Sequence, residues 1–388
     1  MNFAFTKEEE ALIQEVRELL KTVPPKFLAE SRELGPIYGG PEARKFLKKF
    51  GDRGWITPNW PKEYGGLGAS EMVNYVIRDE LSYVMGVFMG FIGAHMAGPT
   101  ILRFGSEEMK KEYLGLIARG EVEFALGYTE PDAGSDLMGL NTKAEDKGDY
   151  YLINGNKTFN THCHVAEYHW LAVRTDPDVP KHKGISMMIV DLKSPGITIN
   201  PMITMAGYCT NEVFYDNVKV PKKNLVGELN KGALYLMKAL DFERMFPPSA
   251  YRRVFDETLE YTKETIVDGR PLSKDPLVRQ KLAQMAIELE LARILYYRLA
   301  DMLDKGVIPN YEASLEKSFT CEMAQRLTNS AMEILGLYGP LVKDSKHSPI
   351  AGRAEHSYRM SVVETIYGGS AEIQRNIMAT RGLGLPRA

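Results

Sequence analysis

Glu243 is the residue of this 388-residue chain whose placement most suggests acid–base chemistry. Residues 232–246 have helical periodicity, and Leu236 and Leu240 share one face with Glu243, the only charge on that apolar stripe. An ionised carboxylate there costs several kcal/mol unless a partner offsets it. Burial also raises the pKa of a carboxyl group toward that of a base working near neutral pH. Glu243 is therefore half of a structural ion pair or a general base, unless the helix boundary lies elsewhere.

A second candidate is the turn-rich segment Tyr128–Asp136. Gly134 can adopt positive φ, and Thr129, Ser135 and backbone N–H groups can donate hydrogen bonds. Such a loop can hold a pyrophosphate or the edge of a flavin, although its composition also fits an ordinary surface turn. No G-x-G-x-x-G follows a strand and the dipeptide Gly-Lys is absent from the sequence, which excludes a Walker A loop.

The triplet His162-Cys163-His164 suggests a metal site at first sight. On a strand both imidazoles would point the same way, but the sequence offers no third ligand at suitable spacing. We therefore predict no metal site.

The periodicity that positions these residues changes twice along the chain. Residues 6–120 are helical in pattern, short strands rich in β-branched and aromatic residues follow, and long helical periodicity returns from Ala233. Turn clusters such as Asn154–Asn156 separate the predicted strands. We predict an α+β protein with an N-terminal helical domain (1–120), a middle antiparallel β domain (121–228) and a C-terminal helical bundle (229–388). The seams between such domains can accommodate a large ligand.

Composition narrows the class of protein. With 48 basic and 51 acidic residues the net charge is −3, which gives no reason to expect nucleic acid or an anionic membrane as a partner. Three widely spaced cysteines favour a reducing compartment. The acidic N-terminus lacks a secretory pattern, and the apolar run Val84–Gly98 is shorter than the about 20 residues that cross a bilayer. We expect a cytoplasmic protein without a membrane span.

Four segments resemble the acyl-CoA dehydrogenase family in order and spacing, over essentially the whole chain. They are Pro61–Gly68, Tyr128–Asp136, Asn154–Thr161 and Ile366–Arg375. The resemblance implies an FAD enzyme of fatty acid and lipid metabolism that oxidises an acyl-CoA thioester at its α,β carbons. It also implies a C-terminal four-helix bundle, a homotetramer or homodimer, and an electron-transfer flavoprotein as electron acceptor.

The resemblance assigns cofactor roles by position. Tyr128 and Thr129 would contact the flavin, and Ser135 would lie beside the pyrophosphate and the substrate's pantetheine. Thr161 would meet flavin N5, and Phe159 stands where the family usually has tryptophan, without the indole N–H. The remaining implied cofactor contacts lie near the C-terminus: Glu333 and Gly336 in a turn that is glutamine-rich in the family, and Ser370 and Glu372 near the ribose and adenylate.

The resemblance departs from the commonest family pattern at Gly368, where that pattern has its catalytic glutamate. The string Leu-Asp-Phe-Glu-Arg resembles the minority pattern of isovaleryl- and long-chain acyl-CoA dehydrogenases, which have the base on this helix and a small residue at the C-terminal position. This implies Glu243 as base and the N–H of Gly368 as donor to the thioester oxygen. By position, Asp241, Arg244 and Gly369 would contact substrate, although Asp241 and Arg244 could equally form a solvated pair.

Further departures leave alternatives open. Thr265 and Asp268 stand where the family has an arginine and a phenylalanine that grip the ADP half of FAD. The alternatives are an enoyl-CoA reductase, a flavin oxidase or monooxygenase on the same fold, and a non-catalytic acyl-CoA-binding subunit. Glycines 86, 90, 93 and 98, together with Pro247-Pro248, predict an acyl pocket with room for a branched or cyclic group.

Overall fold

The computed structural model describes residues 5–24, 41–85, 92–243 and 245–386, with the backbone alone at 41, 85, 238 and 240–243. The chain forms two compact units. The bundle unit comprises Met1–Lys21, Glu71–Gly86 and Arg244–Ala388, and the sheet unit comprises Thr22–Ser70 and Val87–Glu243. The three predicted domains are continuous ranges of the sequence, whereas each unit combines separate ranges. The predicted domain boundaries stay a prediction.

The helices and strands follow the predicted α, β, α order. The helices are α1 (Lys7–Leu20), α2 (Pro41–Gly51), α3 (Glu71–Met85), α4 (Gly98–Phe104), α5 (Glu107–Ala118), α6 (Gly232–Glu243), α7 (Ser249–Glu264), α8 (Pro276–Asp304), α9 (Tyr311–Leu335), α10 (Arg353–Glu364) and α11 (Ala371–Ile377). The strands are β1 (Phe124–Gly127), β2 (Lys143–Asp146), β3 (Tyr150–Lys157), β4 (Tyr168–Arg174), β5 (Ile185–Asp191), β6 (Ile197–Ile203), β7 (Cys209–Pro221), β8 (Leu225–Val226), β9 (Ile266–Val267) and β10 (Arg270–Pro271).

Helices distant in sequence build the bundle unit. Helices α7 to α10 pack around a core that includes Val254, Ala292, Met323 and Ala331, and α3 packs against α1, α7 and α8. Asp304, at the end of α8, accepts hydrogen bonds from the first backbone N–H groups of α3, at 2.7 and 3.1 Å. These N–H groups have no partner within their own helix, so Asp304 caps α3 from outside it. The expected C-terminal four-helix packing is confirmed.

The sheet unit is built on an eight-stranded sheet in the order β6-β7-β3-β2-β4-β5-β8, with β1 paired to β4. Its neighbours are antiparallel except for β1 and β2, which both run parallel to β4. Buried Ile153, Val173, Val190 and Val213 are part of its core. The parallel pairings are absent from the sequence prediction because residues 128–142 and 158–167, which make the crossovers, have no periodicity of their own.

The predicted turn at Asn154–Asn156 is wrong, since β3 continues to Lys157. The pairing of β3 with β7 shifts between Ile153 and Gly155, as in a β-bulge. Gly155 has φ 145°, and a Cβ there would lie 2.7 Å from Cα of Thr142. Close approach of backbone, rather than chain reversal, explains the glycine.

The predicted buried helix at Val84–Gly98 falls partly outside the described residues. Residues 93–97 form a buried π-helical turn that leads into α4. Within the described ranges, no helix is both long and apolar enough to span a membrane.

Candidate active site

A buried ion pair supports the first residues of the segment Tyr128–Asp136 in the sheet unit. The ammonium group of Lys157 donates to the carbonyl of Tyr128 at 3.1 Å and to Oε1 of Glu130 at 2.8 Å. Glu130 also accepts from the backbone N–H groups of Asn141 and Thr142, at 2.6 and 2.9 Å. The backbone on both sides of Thr129 is therefore fixed, while its side chain stays half-buried.

The pKa values of this pair show opposing effects. Burial lowers the pKa of Lys157 to about 8, although the carboxylate of Glu130 acts to raise it. Burial alone would raise the pKa of Glu130, but Lys157 and two backbone N–H groups lower it overall. We take Glu130 as ionised because four hydrogen-bonding and charge contributions favour its charged form.

The segment after β3 connects to this loop and presents an aromatic ring. Thr158 donates its backbone N–H to the carbonyl of Thr129 at 2.9 Å. Phe159 has φ 56° and is 66 % exposed, although large side chains rarely adopt positive φ. Asn160 is held on both sides by Asn211, through N–H and carbonyl contacts of 2.9 and 2.7 Å. The ring of Phe159 thus faces outward from rigid backbone.

The other predicted flavin residues of this unit have chemistry that fits the cofactor. The half-buried Thr161 has its hydroxyl 3.4 Å from that of Thr210. A Cβ on Gly134 would meet no atom within 4 Å, and Ser135 is exposed. Hydroxyl groups on Thr129, Ser135 and Thr161 and an exposed ring on Phe159 are groups that can bind a pyrophosphate and an isoalloxazine.

His162 and His164, which follow Thr161 in the sequence, have separate hydrogen-bonding and charge partners. His162 lies in a turn with Nδ1 3.5 Å from Glu123, whereas Nδ1 of His164 is 3.0 Å from the amide nitrogen of Asn211. Burial, and then the neighbouring His162, lower the pKa of His164. The two imidazoles lie in a turn rather than on a strand, and among the described residues no group of three ligands suits a metal ion.

Helix α6, which ends at Glu243, is anchored to the sheet at its N-terminus. Gly232 lies so close to Ser186 that a Cβ would be 2.7 Å from its Cα. Tyr235 is buried, accepts from the N–H of Glu228 at 3.0 Å and stacks 4.5 Å from Phe104. The side chains of Asp241 and Glu243, and all of Arg244, lie outside the described residues, so their predicted roles stay predictions.

In the bundle unit, Gly368 and Gly369 form a tight turn with φ 64° and 85°. The buried ammonium of Lys317 donates to the carbonyls of Glu364 and Gly369 at 3.0 and 2.9 Å. The buried amide of Gln374 donates to the carbonyls of Gly368 and Gly369 at 2.9 and 3.1 Å. The turn offers backbone groups and no side chain where the commonest family pattern has its glutamate.

Ser370 and Glu372 follow this turn at the start of α11. Ser370 is the N-cap and accepts from the N–H of Ile373 at 3.4 Å. Glu372 is exposed in the first turn, where its own backbone N–H and then Ser370 lower its pKa. A half-buried serine and an exposed glutamate at a helix N-terminus can bind hydroxyls, as a ribose would require.

The chain that leaves α6 is held by side chains that sequence reasoning missed. Glu316 is 0 % exposed, and its carboxyl accepts from Phe246 N–H at 3.2 Å and from Thr320 Oγ1 at 2.9 Å. Burial raises the pKa of Glu316 to about 8. Arg78 donates to the carbonyl of Met245 at 3.1 Å. A charged residue inside a helical pattern gives no sequence signal of such distant partners.

The predicted adenylate positions lie on the surface of the bundle unit. Glu333 pairs with Lys281 and accepts from Asn329 at 3.1 Å. Gly336 ends α9 with φ 59° and open space around it. Thr265 leads into the small hairpin of β9 and β10, whose turn contains Asp268 at φ 50°.

The pocket prediction from the glycines is not supported where it can be examined. A Cβ on Gly98 would lie 2.1 Å from the ring of Trp60, and one on Gly93 would lie 3.2 Å from Ile117. Core side chains already fill the space that these two glycines leave. Glycines 86 and 90 lie outside the described residues.

The α, β, α order of elements and the mixed sheet agree with a family of flavoprotein oxidoreductases whose models match this chain. Family models match along the chain: acyl-CoA dehydrogenase N-terminal domain at residues 6–121, middle domain at 125–218 and C-terminal domain at 230–383. The chain belongs to the acyl-CoA dehydrogenase family, whose members are oxidoreductases acting on CH–CH bonds and bind FAD. The family and fold predictions are confirmed.

Three similar proteins illustrate the range of this family. Acyl-CoA dehydrogenase FadE26 of Mycobacterium tuberculosis is 34 % identical over 100 % of both chains. The 3-(aryl)acrylate reductase of Clostridium sporogenes is 34 % identical over 87 % of this chain and 89 % of its own. The structure of the Tcur3481-Tcur3483 steroid ACAD has a TM-score of 0.93 at 34 % identity, with 100 % of both chains covered.

Proposed function

We propose that this protein converts an acyl-CoA thioester to its 2-enoyl thioester, with Glu243 as the base that takes the C2 proton. The N–H of Gly368 donates to the thioester oxygen as negative charge develops there. The observation that carries the proposal is the Gly368–Gly369 turn, which has no carboxylate of its own and is held by Lys317 and Gln374. The Leu-Asp-Phe-Glu-Arg string at the end of α6 supplies the missing carboxylate.

In this proposal the cofactor binds to residues of the sheet unit. Thr129, Phe159 and Thr161 bind the flavin, with Tyr128 contributing backbone, and Ser135 binds the pyrophosphate side and the pantetheine. Bound FAD supplies the acceptor for the hydride that leaves C3. The remaining contacts are those assigned by position: Glu333, Gly336, Ser370 and Glu372 toward FAD, and Asp241, Arg244 and Gly369 toward the substrate.

We expect an electron-transfer flavoprotein to reoxidise the enzyme. The assembly stays predicted as a homotetramer or homodimer, with native mass spectrometry as its test. The steroid relative is named as a pair of chains, and Thr265 and Asp268 depart from the family's ADP-gripping residues. A mixed assembly with a second, related chain is therefore the other candidate, and it predicts fewer than one FAD per chain.

The acyl group is proposed to be bulky and ring-bearing. Support comes from the name of the steroid relative, which is 34 % identical over 100 % of both chains. A panel that compares octanoyl-CoA with 3-cyclohexylpropanoyl-CoA and a sterol side-chain thioester tests this. Preference for octanoyl-CoA would contradict it.

A second candidate is the reverse reaction, because a relative is named as a 3-(aryl)acrylate reductase. The same base would then protonate C2 of an enoyl thioester. The two candidates differ in the flavin potential and in the electron partner. Oxidation of the reduced protein by cinnamoyl-CoA, without reduction of the oxidised protein by 3-phenylpropanoyl-CoA, would favour the reductase.

Anaerobic flavin bleaching tests the assignment of the base. Glu243→Gln should abolish bleaching by acyl-CoA and keep thioester binding, because the amide preserves shape but cannot take a proton. Glu260→Gln, an exposed position of α7, is the matched control and should bleach normally. Full bleaching by Glu243→Gln would overturn the assignment, and a parent protein that binds thioesters but never bleaches would indicate a non-catalytic subunit.

A further inference from the structure

Two consecutive charged residues, Glu316 and Lys317, are both 0 % exposed on α9. Neighbours on a helix point about 100° apart, so the two side chains reach different parts of the bundle unit. Burying either charge costs several kcal/mol unless specific partners compensate for it. Their partners therefore indicate what the pair is for.

Lys317 spans the glycine turn. Its ammonium bonds the carbonyl that ends α10, at Glu364, and the carbonyl of Gly369, and lies 5.8 Å from the ring centre of Tyr367. Two glycines in succession have great conformational freedom in the absence of such donors. With Gln374 bonding the same turn, the peptide groups of Gly368 and Gly369 are restricted to one orientation.

Glu316 holds the segment that follows α6. Phe246 is succeeded by Pro247 and Pro248, which lack N–H groups, so Phe246 is the last backbone donor before Ser249. Glu316 accepts that N–H at 3.2 Å, and Asp79 accepts the N–H of Ser249 at 3.2 Å.

A carbonyl group of the same segment, that of Met245, is also held by a hydrogen bond. Arg78 donates to the carbonyl of Met245, and the ring of Phe246 lies 5.5 Å from that of Tyr367. The backbone groups just after Glu243 in sequence are thus bound by buried ionisable side chains, and one aromatic contact joins this segment to the glycine turn.

We infer that Glu316 and Lys317 are positioning residues for the proposed reaction. Glu316 fixes the chain that carries the base, and Lys317 fixes the turn whose N–H meets the thioester oxygen. Neither contacts substrate in this scheme. The inference rests on the proposed function and adds two residues to it.

The test uses FAD-loaded protein and 3,3-dimethylbutanoyl-CoA, which has C2 hydrogens but none on C3. Exchange of its C2 hydrogens with D₂O reports proton removal alone, and the infrared C=O stretch of the bound, ¹³C-labelled thioester reports the hydrogen bond to its oxygen. Lys317→Met should return the stretch toward its free-solution frequency and slow exchange at least tenfold. Glu316→Ala should slow exchange similarly and leave the stretch unchanged.

Met323→Ala is the matched control, because it removes buried volume from the same helix and Met323 is not one of the side chains that hydrogen-bond either segment. It should lower the unfolding temperature but change neither readout. If Lys317→Met does not fold, Gln374→Ala replaces it, since it removes the other donor to the turn. Backbone amide exchange without thioester should accelerate over 364–370 for the Lys317 or Gln374 variant, and over 245–249 for Glu316→Ala.

The outcomes separate the two proposals. Variants of Glu316 and Lys317 that match Met323→Ala in exchange rate and C=O stretch would overturn the positioning inference and leave the proposed function standing. A parent protein that binds the thioester without C2 exchange or a shifted stretch would overturn both.

Discussion

The ammonium group of Lys157 lies 2.8 Å from Oε1 of Glu130, and the two side chains are 0 % and 7 % exposed. Lys157→Met should cost about 3–5 kcal/mol of unfolding free energy, because it leaves a buried carboxylate without its cation. FAD content should fall with it, since Tyr128 loses its carbonyl contact. Urea unfolding and flavin absorbance measure the two effects. Lys157→Met/Glu130→Gln should recover part of the stability, and a single variant as stable as the parent would contradict the prediction.

Two substitutions of Phe159 separate the effect of its left-handed backbone on stability from the effect of its ring. A left-handed conformation costs an L-residue about 1–2 kcal/mol, and the ring is 66 % exposed, so its removal costs folding little. Phe159→Gly should therefore leave the FAD-free protein as stable as the parent or more so, by up to about 1 kcal/mol. Phe159→Ala keeps the backbone cost and is the control.

The same two variants report on the cofactor. Both should weaken FAD binding, as measured by quenching of flavin fluorescence, because both lose the aromatic face. Unchanged FAD affinity in Phe159→Ala would exclude the ring from the flavin site.

Two buried carboxyls, Asp79 and Glu316, and the half-buried Glu364 predict how stability depends on pH. Burial raises the pKa of Asp79 to about 6, of Glu364 to about 7 and of Glu316 to about 8. Between their ordinary pKa and these values, the folded state holds protons that the unfolded state has released. Stability should therefore fall as pH rises from about 5 to 8, by up to roughly 1.4 kcal/mol per pH unit for each group.

Glu316→Gln should make that decline shallower, most clearly between pH 7 and 8, where Asp79 and Glu364 have largely ionised. Unfolding free energy measured in urea at each pH gives the slopes, and Glu260→Gln is the control with an exposed side chain. An unchanged slope in Glu316→Gln would contradict the assignment of Glu316 as a proton-binding group in this range.

Gly369→Ala should disturb the turn in two ways. Its φ of 85° is unfavourable for alanine, and the new Cβ would lie 2.6 Å from the amide nitrogen of Gln374. We expect a loss of about 1–3 kcal/mol of unfolding free energy, with slower flavin bleaching. Gly306→Ala has φ 74° and open space around its Cβ, so it carries the backbone cost alone. Equal losses in the two variants would show that displacing Gln374 costs nothing.

The sequence predicts local structure better than it predicts which strands and side chains pair with each other. Thr6 and Glu9 have the spacing of three residues that predicts a capping box, and the structure has both of its contacts, at 2.8 and 3.1 Å. Leu282–Leu303 has clear helical periodicity in the sequence and lies within α8. The bulge at Gly155 has no such signal, since its cause is Thr142 on another strand.

In the candidate site, too, short-range patterns are easier to predict than distant contacts. Sequence analysis could find Thr129, Phe159, Gly368 and Gly369 because each belongs to a short motif. Lys317 could not, because its partners Glu364 and Gly369 lie far along the chain and a lysine in a helix usually indicates a solvated face. The partners of a buried charge depend on which elements pack together in the fold, and periodicity in the sequence does not indicate that.

The capping of α3 by Asp304 has a consequence for biosynthesis. Ribosomes deliver roughly 5–20 residues per second, so α1 and α3 emerge well before α7 and α8, against which α3 packs. During that interval α1 and α3 can pack on each other, but the sides of α3 that contact α7 and α8 have no partner. We therefore expect the bundle unit to complete its fold only after α7 and α8 have emerged, and a chaperone that shields helical segments to raise the yield of active protein.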